Sequence, residues 1–414
     1  MKTYLILLVA ILMTLLSSCD RSANQTTRYL NDFVATTCQP VMDSFFVADA
    51  KGMMAVGVFL STPDEVLFDE MYYFSNDDNP LPDGNTLFML GSVTKTFTTA
   101  MLAQQVVAGN IDLYAPAQNY YPPLDQEAIP GPILPNQFNG APVTITMTHL
   151  ASHTSGLEKS LPKVPSSILP ANMEGFTKGR IPYLSGYDSL KLQSLLFAPG
   201  DSSSYSNTGI ALIGVALSYL ATPDNPLYYN NYNSILHYRL LDPIGMRNTT
   251  LLPDFGAFNN AAIPYDDDSN LANYGASTLP FNLASGGLYS TLSDMMLFGK
   301  EMVGMGHVLT QQERDTIFAV RYNNSSNVST VLGWTQYRNL RDTLGTRHPR
   351  YEKSGELAGF RSYINVATPQ WHSEDKKLFV IALVNHGSDD MPLNKITREI
   401  MDKMLELDLQ RRQP

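Results

Sequence analysis

A chain of 414 residues that is 44% hydrophobic and 10% aromatic can bury one large core or two interleaved ones, and it is too apolar to be disordered. Only 16% of it is charged, and a formal net charge of −11 with no basic run argues against nucleic acid as a partner. It contains no internal repeat, no Walker motif and no dinucleotide-type glycine pattern, so nucleotide-dependent chemistry is not expected.

The first stretch concerns destination. Lys2 precedes an apolar run from Tyr4 to Leu16 that is short for a bilayer span. Leu16-Ser17-Ser18-Cys19 resembles a bacterial lipobox. That resemblance implies a signal peptide over 1–18, cleavage before Cys19, a lipid on its thiol and a polar tether over 19–28. The expected location is the cell envelope, on the periplasmic side and anchored to a membrane through Cys19. A plain secretory signal with Cys19 removed or free is the alternative. Lipidation would leave Cys38 without a disulfide partner.

Tyr29 to Ala48 carries Leu30, Phe33, Val34, Val41 and Phe45 at helical spacing. Met53–Leu60 and Glu65–Phe74 are β-rich runs split by Thr62-Pro63-Asp64, a hairpin signal. Leu87–Leu90 reads as a short strand leading into a helix that starts near Ser92. That helix has an apolar stripe of Val93, Phe97, Ala100 and Met101, and stops at Gly109-Asn110.

From Tyr114 to about Leu283, Pro-rich loops connect helical pieces. Thr148–Ala151 is a short helix. Asn207–Leu220 is apolar nearly all round and reads as buried. Tyr232–Leu241 is a helix that Asp242-Pro243 should stop. A turn over Ala284–Thr291 opens a helix through about Met302. Arg361–Ala367 alternates as a strand, and Leu378–Val384 is a continuous apolar run suited to a central strand. Asn394–Leu407 closes the chain as an amphipathic helix.

Strands and helices at both ends with helices between them predict an α/β (α+β) fold: an antiparallel sheet flanked by the N- and C-terminal helices, with an inserted, mainly helical domain. The hydrolase-sized domain spans 29–410, its α/β part about 29–91 and 284–410, its helical part about 92–283. The active cleft is expected between the two parts.

Chemistry enters at Ser92-Val93-Thr94-Lys95. Residues three apart share a helix face, so Ser92 and Lys95 point the same way at an N-terminus whose free N–H groups favour negative charge. Ser-x-x-Lys alone is a weak signal, since Ser92 could be a cap and Lys95 a solvated side chain. Two further stretches add to it: Tyr205-Ser206-Asn207 after the Pro199-Gly200 turn, and Lys353-Ser354-Gly355 ahead of the C-terminal strand pair.

The ordered set Ser-x-x-Lys, Tyr-x-Asn and Lys-Ser-Gly resembles the superfamily of class C β-lactamases and D-alanyl-D-alanine peptidases, including its esterase branch. His149-Leu150-Ala151-Ser152-His153-Thr154-Ser155-Gly156-Leu157, Gly286-Gly287-Leu288-Tyr289-Ser290-Thr291, Gly333-Trp334 and Gly359-Phe360 are similar to further motifs of that family, and the resemblance covers about Leu30 to Leu405. It implies a serine hydrolase with a β-lactamase/transpeptidase-like fold. Such an enzyme works through an acyl-enzyme on β-lactams or D-Ala-D-Ala peptides of peptidoglycan. It uses Ser92, Lys95 and Tyr205 in catalysis and Asn207, Lys353, Ser354 and Gly355 in substrate binding. An esterase and a catalytically silent peptidoglycan-binding envelope protein are the other readings.

The physics of the set stands beside the name. A serine hydroxyl needs a base to take its proton, and a phenol with a pKa near 10 is a poor base at neutral pH. Two lysines near Tyr205 favour either a phenolate or a neutral Lys95. Such groups titrate as a unit, so Tyr205 and Lys95 are expected to share the proton work. By the resemblance, Asn207 would hold both the substrate amide and the Lys95 side chain. Lys353 and Ser354 would bind a carboxylate, and the oxyanion would sit between the backbone N–H groups of Ser92 and Glu356.

Two positions depart from the family pattern. Glu356 stands where class C enzymes carry a small residue, and Arg361 either offsets its charge or binds a substrate carboxylate. His149 and His153 lie four apart, but no zincin glutamate or third ligand accompanies them, so no metal or other cofactor is expected.

Overall fold

The run Lys377–Val384 is buried at nearly every position, which only a central strand with a layer on each face allows. In the computed structural model this strand lies near the middle of an antiparallel sheet. The structure describes residues 25–46, 50–76, 81–121, 134–160, 194–221, 228–251, 261–266, 283–341, 347–357, 359–367 and 376–411.

The strands in chain order are β1 Met53–Ser61, β2 Val66–Ser75, β3 Phe88–Met89, β4 Gln137–Phe138, β5 Ala141–Pro142, β6 Tyr289–Ser290, β7 Tyr322–Asn323, β8 Val328–Thr330, β9 Thr335–Arg341, β10 Arg347–Leu357, β11 Phe360–Ala367 and β12 Lys377–Val384. Among the described residues the main sheet has eight strands in the order β2-β1-β12-β11-β10-β9-β8-β7. β3 pairs with β6, and β4 with β5, as two small separate ribbons.

Alternation sorts the side chains into two cores. Met54, Val56, Val58 and Leu60 of β1, with Val380, Ala382 and Val384 of β12, face one layer. That layer is the first helix, residues 25–45, and the last, Leu393–Arg411. Leu30, Val34, Cys38 and Met42 recur every four residues and form the buried stripe of the first helix. Ala55 and Phe59, with Phe379, Ile381 and Leu383, face the other layer, built from the helices between the strands. Each such buried aliphatic or aromatic side chain contributes about 1.5–3 kcal/mol of transfer free energy. The expected architecture is therefore the one observed, and the helical part lies against the sheet face that carries the candidate site. Cys38 is free and buried. No helix of the described residues is long and apolar enough to cross a membrane.

Two local expectations are corrected and two elements are added. The helix Thr94–Val107 is not amphipathic: it is buried on all sides along Thr94–Ala103. Its threonines remain satisfied by bonding back to carbonyls, Thr94 Oγ1 to Gly91 at 2.7 Å, Thr96 Oγ1 to Val93 at 2.7 Å and Thr99 Oγ1 to Lys95 at 3.0 Å. Asp242-Pro243 does not stop its helix. A π-turn over His237–Leu241 resets the register, Pro243 falls in the first turn of the next segment, and the end comes at left-handed Gly245. Lys353-Ser354-Gly355 does precede the strand pair β11 and β12, but it lies itself inside a further strand, β10, that the sequence did not show. The helix Gln311–Phe318, with the capping box of Thr310 and Glu313, was not anticipated.

Candidate active site

Ser92 belongs to a 3₁₀ turn, Gly91–Val93, that runs directly into the Thr94–Val107 helix. Side chains three apart eclipse in a 3₁₀ turn, so Lys95 comes back under Ser92. Lys95 Nζ lies 3.0 Å from Ser92 Oγ and donates to the Ser285 carbonyl at 2.5 Å. The Tyr205 hydroxyl donates to Ser92 Oγ at 2.6 Å. The serine oxygen is thus held between an amine and a phenol. Both Lys95 Nζ and Lys353 Nζ lie over the Tyr205 ring, 5.0 and 4.7 Å from its centroid.

Burial decides where the protons sit. Lys95 is completely buried, and its pKa is held well below the usual lysine range by that desolvation, then by the charges of Lys353 and Lys159. Burial brings Lys353 down to about 8. Burial pushes Tyr205 up to about 12; its hydrogen bond to Ser92 opposes that rise and the Glu356 carboxylate adds to it. Of the two expected states, phenolate or neutral amine, these shifts select the neutral amine. A neutral Lys95 can accept a proton, and Tyr205 is a phenol that donates.

The third motif arrives from the sheet. β10 pairs with β9 only through Glu352, so residues 353–357 have a strand partner on the β11 side alone. The other edge meets the Ser92 turn at backbone distance. A Cβ on Gly91, whose φ is +49°, would lie 2.7 Å from Glu356 N, and a Cβ on Gly355 would strike the Leu90 carbonyl oxygen. Ser362 Oγ donates to that same carbonyl at 2.6 Å. The peptide units of Ser92 and Glu356, expected to bind an oxyanion, are therefore neighbours. Ser354 is exposed and Lys353 is buried beside Tyr205. Among the described residues, no carboxylate or carbonyl takes Lys353 Nζ, which leaves the ammonium available to an anion.

Asn207 departs from its expected contact. Its side-chain amide donates to Ser160 Oγ at 3.5 Å, and the anchor assigned to it on Lys95 is supplied instead by the Ser285 carbonyl. The short helix Leu283–Gly286 is what presents that carbonyl. A backbone acceptor has no residue signature, so nothing in the sequence could mark it.

Arg361 offsets Glu356. The two face each other across β10 and β11, and Arg361 Nη2 lies 3.2 Å from Glu356 Oε2. Arg361 also pairs with Asp389 and donates from Nε to the Gly387 carbonyl at 3.2 Å. His149 caps its own helix, accepting the Thr146 N–H at Nδ1. Among the described residues no group of side chains could hold a metal ion. Cys19, the segment Leu161–Tyr187 and Asp125–Ile133 lie outside the described residues.

Comparison with known proteins follows the same lines. The sequence pattern of the Beta-lactamase family matches residues 42–403. The chain is similar to the D-alanyl-D-alanine-carboxypeptidase/endopeptidase AmpH of Escherichia coli (strain K12), 26% identical over 302 residues, 69% of each chain. It is also similar to a Beta-lactamase of Escherichia coli (strain K12), 27% identical over 248 residues, 58% of this chain and 52% of that one. Among solved structures, a class C beta-lactamase superposes with a TM-score of 0.65 at 19% identity, covering 90% of this chain and 96% of that one, which is a likeness of fold.

Proposed function

The chain belongs to the beta-lactamase family and is a serine hydrolase, and from that premise we propose that it acts through an acyl-enzyme on β-lactams or D-alanyl-D-alanine peptides. The observation that carries this reading is Ser92 Oγ between Lys95 Nζ at 3.0 Å and the Tyr205 hydroxyl at 2.6 Å. The carboxypeptidase/endopeptidase relative supports an amide substrate of this class.

Neutral Lys95 takes the Ser92 proton as Ser92 Oγ attacks the carbonyl carbon of the substrate amide. Negative charge develops on the carbonyl oxygen, and the N–H groups of Ser92 and Glu356 stabilise it there. The C–N bond breaks as the Tyr205 phenol protonates the leaving nitrogen, and the ammonium formed on Lys95 restores the phenol. Water then hydrolyses the Ser92 ester and releases the acid. Lys353, with Ser354 and Gly355 beside it, binds the substrate carboxylate, and Asn207 lines the same cleft.

A fluorescent penicillin and a chromogenic cephalosporin, with Ser92→Ala as control, test the reading. Turnover of the cephalosporin indicates a lactamase, and a stable penicillin label indicates a peptidase. Neither, together with hydrolysis of short-chain esters, indicates an esterase. Ser92→Ala equal to the native protein on every substrate would leave only a binding role.

Lys2, the apolar run to Leu16 and Leu16-Ser17-Ser18-Cys19 support a second part of the proposal, export and lipidation at Cys19 to a membrane on the periplasmic side. Labelling with an alkyne-bearing fatty acid should mark the native chain and not Cys19→Ala.

A further inference from the structure

The loop that carries Tyr205 is held by the turn 152–160 through its backbone. Leu196 N–H donates to the Gly156 carbonyl at 2.8 Å, Gly200 N–H to Thr154 at 2.8 Å, Ser204 N–H to His153 at 2.9 Å, and Asn207 N–H to Lys159 at 2.7 Å. Ser206 Oγ adds a bond to the Glu158 carbonyl at 2.9 Å. One residue of the turn meets Tyr205 from three sides, and that residue is His153. Its carbonyl takes the N–H before Tyr205, its Nδ1 takes the Ser206 N–H after Tyr205 at 3.2 Å, and its ring lies 4.5 Å from the Tyr205 ring at 44°.

The bond from Ser206 fixes the chemistry of the imidazole. Nδ1 must offer its lone pair, so the ring is neutral and its proton is on Nε2. Nε2 is buried and faces no hydrogen-bond partner among the described residues, so the bond from Ser206 is the ring's one side-chain hydrogen bond. Burial, then the charge of Lys353, holds the ring's pKa well below its ordinary value, which keeps Nδ1 an acceptor. His153 also sits at φ +60°, a left-handed backbone that a non-glycine residue adopts at a cost and that the surrounding bonds maintain. With Nδ1 committed and Nε2 protonated, the imidazole is not a base for Ser92.

We propose that His153 is a positioning residue: it clamps the backbone on both sides of Tyr205 and backs its ring, and so keeps the phenol on Ser92 Oγ. The proposal rests on the role given to Tyr205 above. An angstrom of displacement at a proton donor costs on the order of a hundredfold in rate, so losing the clamp is visible in acylation.

A double-mutant cycle tests it. His153→Phe keeps a ring and removes the acceptor. Single-turnover acylation by a fluorescent penicillin, or by a short-chain ester of an unactivated alcohol where penicillin does not react, is measured for His153→Phe, Tyr205→Phe and the double variant. The expected loss for His153→Phe is on the order of ten- to a hundredfold with KM nearly unchanged. In the Tyr205→Phe background the same change should cost less than about twofold, because the hydroxyl it positions is already gone. His153→Asn, whose Oδ1 offers an acceptor near the Nδ1 site and which tolerates left-handed backbone, should recover most of the rate. An equal loss in both backgrounds, or no recovery by His153→Asn, overturns the positioning role while leaving Tyr205 in place. A Tyr205→Phe variant as fast as native protein overturns the reading of Tyr205 itself. Should His153→Phe fail to fold, His153→Leu carries the same cycle and the same outcomes.

Discussion

The Tyr205 hydroxyl reaches Ser92 Oγ at 2.6 Å from 113 positions away in sequence, and it does so as a phenol pushed up to about 12 rather than as a phenolate. A proton that is hard to lose can be given only to a strong base, and an amide nitrogen leaving its carbonyl is one. Tyr205→Phe should therefore slow amide and lactam substrates by about 10²–10⁴-fold. Esters with an acidic leaving alcohol need little proton assistance and should lose far less. Comparing acylation rates for a matched amide and activated ester measures this. Equal losses on both would return the base role to Tyr205.

Lys95 is the complementary case. It lies 3.0 Å from Ser92 Oγ in full burial, and desolvation first, then Lys353 and Lys159, favour its neutral form. Lys95→Arg keeps length and hydrogen-bond donors but is charged at any accessible pH. It should lose on the order of 10³-fold in acylation, much like Lys95→Ala, with the fold intact by circular dichroism. An arginine variant that retains most of the activity would show that Lys95 acts as a fixed charge instead.

Lys353 provides a pH signature of opposite sense. Its pKa is lowered by burial to about 8, so the ammonium is present below that pH and lost above it. Affinity for a substrate carboxylate is full below about 8 and falls as pH rises through it. KM should therefore rise with pH through that range, approaching about tenfold per pH unit. The methyl ester of the same substrate should show no such rise. A flat KM up to pH 10 for the free acid would remove Lys353 from carboxylate binding.

The residues that form the site were legible because each carries a side chain at a telling spacing: Ser92 three before Lys95, Tyr205 two before Asn207, Lys353 ahead of a glycine. The partner of Lys95 was not, because the Ser285 carbonyl belongs to the backbone. Burial of Thr94–Ala103 was hidden by its threonines, whose hydroxyls bond to carbonyls one turn back and so carry polar side chains inside. β10 was hidden by charge. Arg350, Glu352 and Lys353 are all buried within it, and Glu352 is taken up by Arg398 at 2.5 and 2.8 Å and by the Tyr363 hydroxyl. A strand whose buried positions are ionic shows no alternation of apolar and polar residues. β12 and the first helix were readable for the opposite reason, since their buried faces are hydrocarbon.

The same contact that brings β10 to the serine makes Gly355 a decisive position. A Cβ there would collide with the Leu90 carbonyl oxygen and with Ser362 Oγ, which already bonds that carbonyl. The hydroxyl can rotate, but the carbonyl belongs to the residue before the Gly91–Val93 turn and moves only with it. Gly355→Ala must therefore part the Ser92 turn from β10, and the gap opens at the proposed oxyanion site. Overpacking of this kind costs about 1–3 kcal/mol of stability, measurable by urea unfolding. The catalytic loss should be larger than that implies, on the order of 10²–10³-fold in kcat, because the Glu356 N–H leaves the developing oxyanion. Binding of a carboxylate product through Lys353 should change much less, since Lys353 lies two residues back on the same strand. A Gly355→Ala protein with native kcat would mean that the Glu356 N–H takes no part in the transition state.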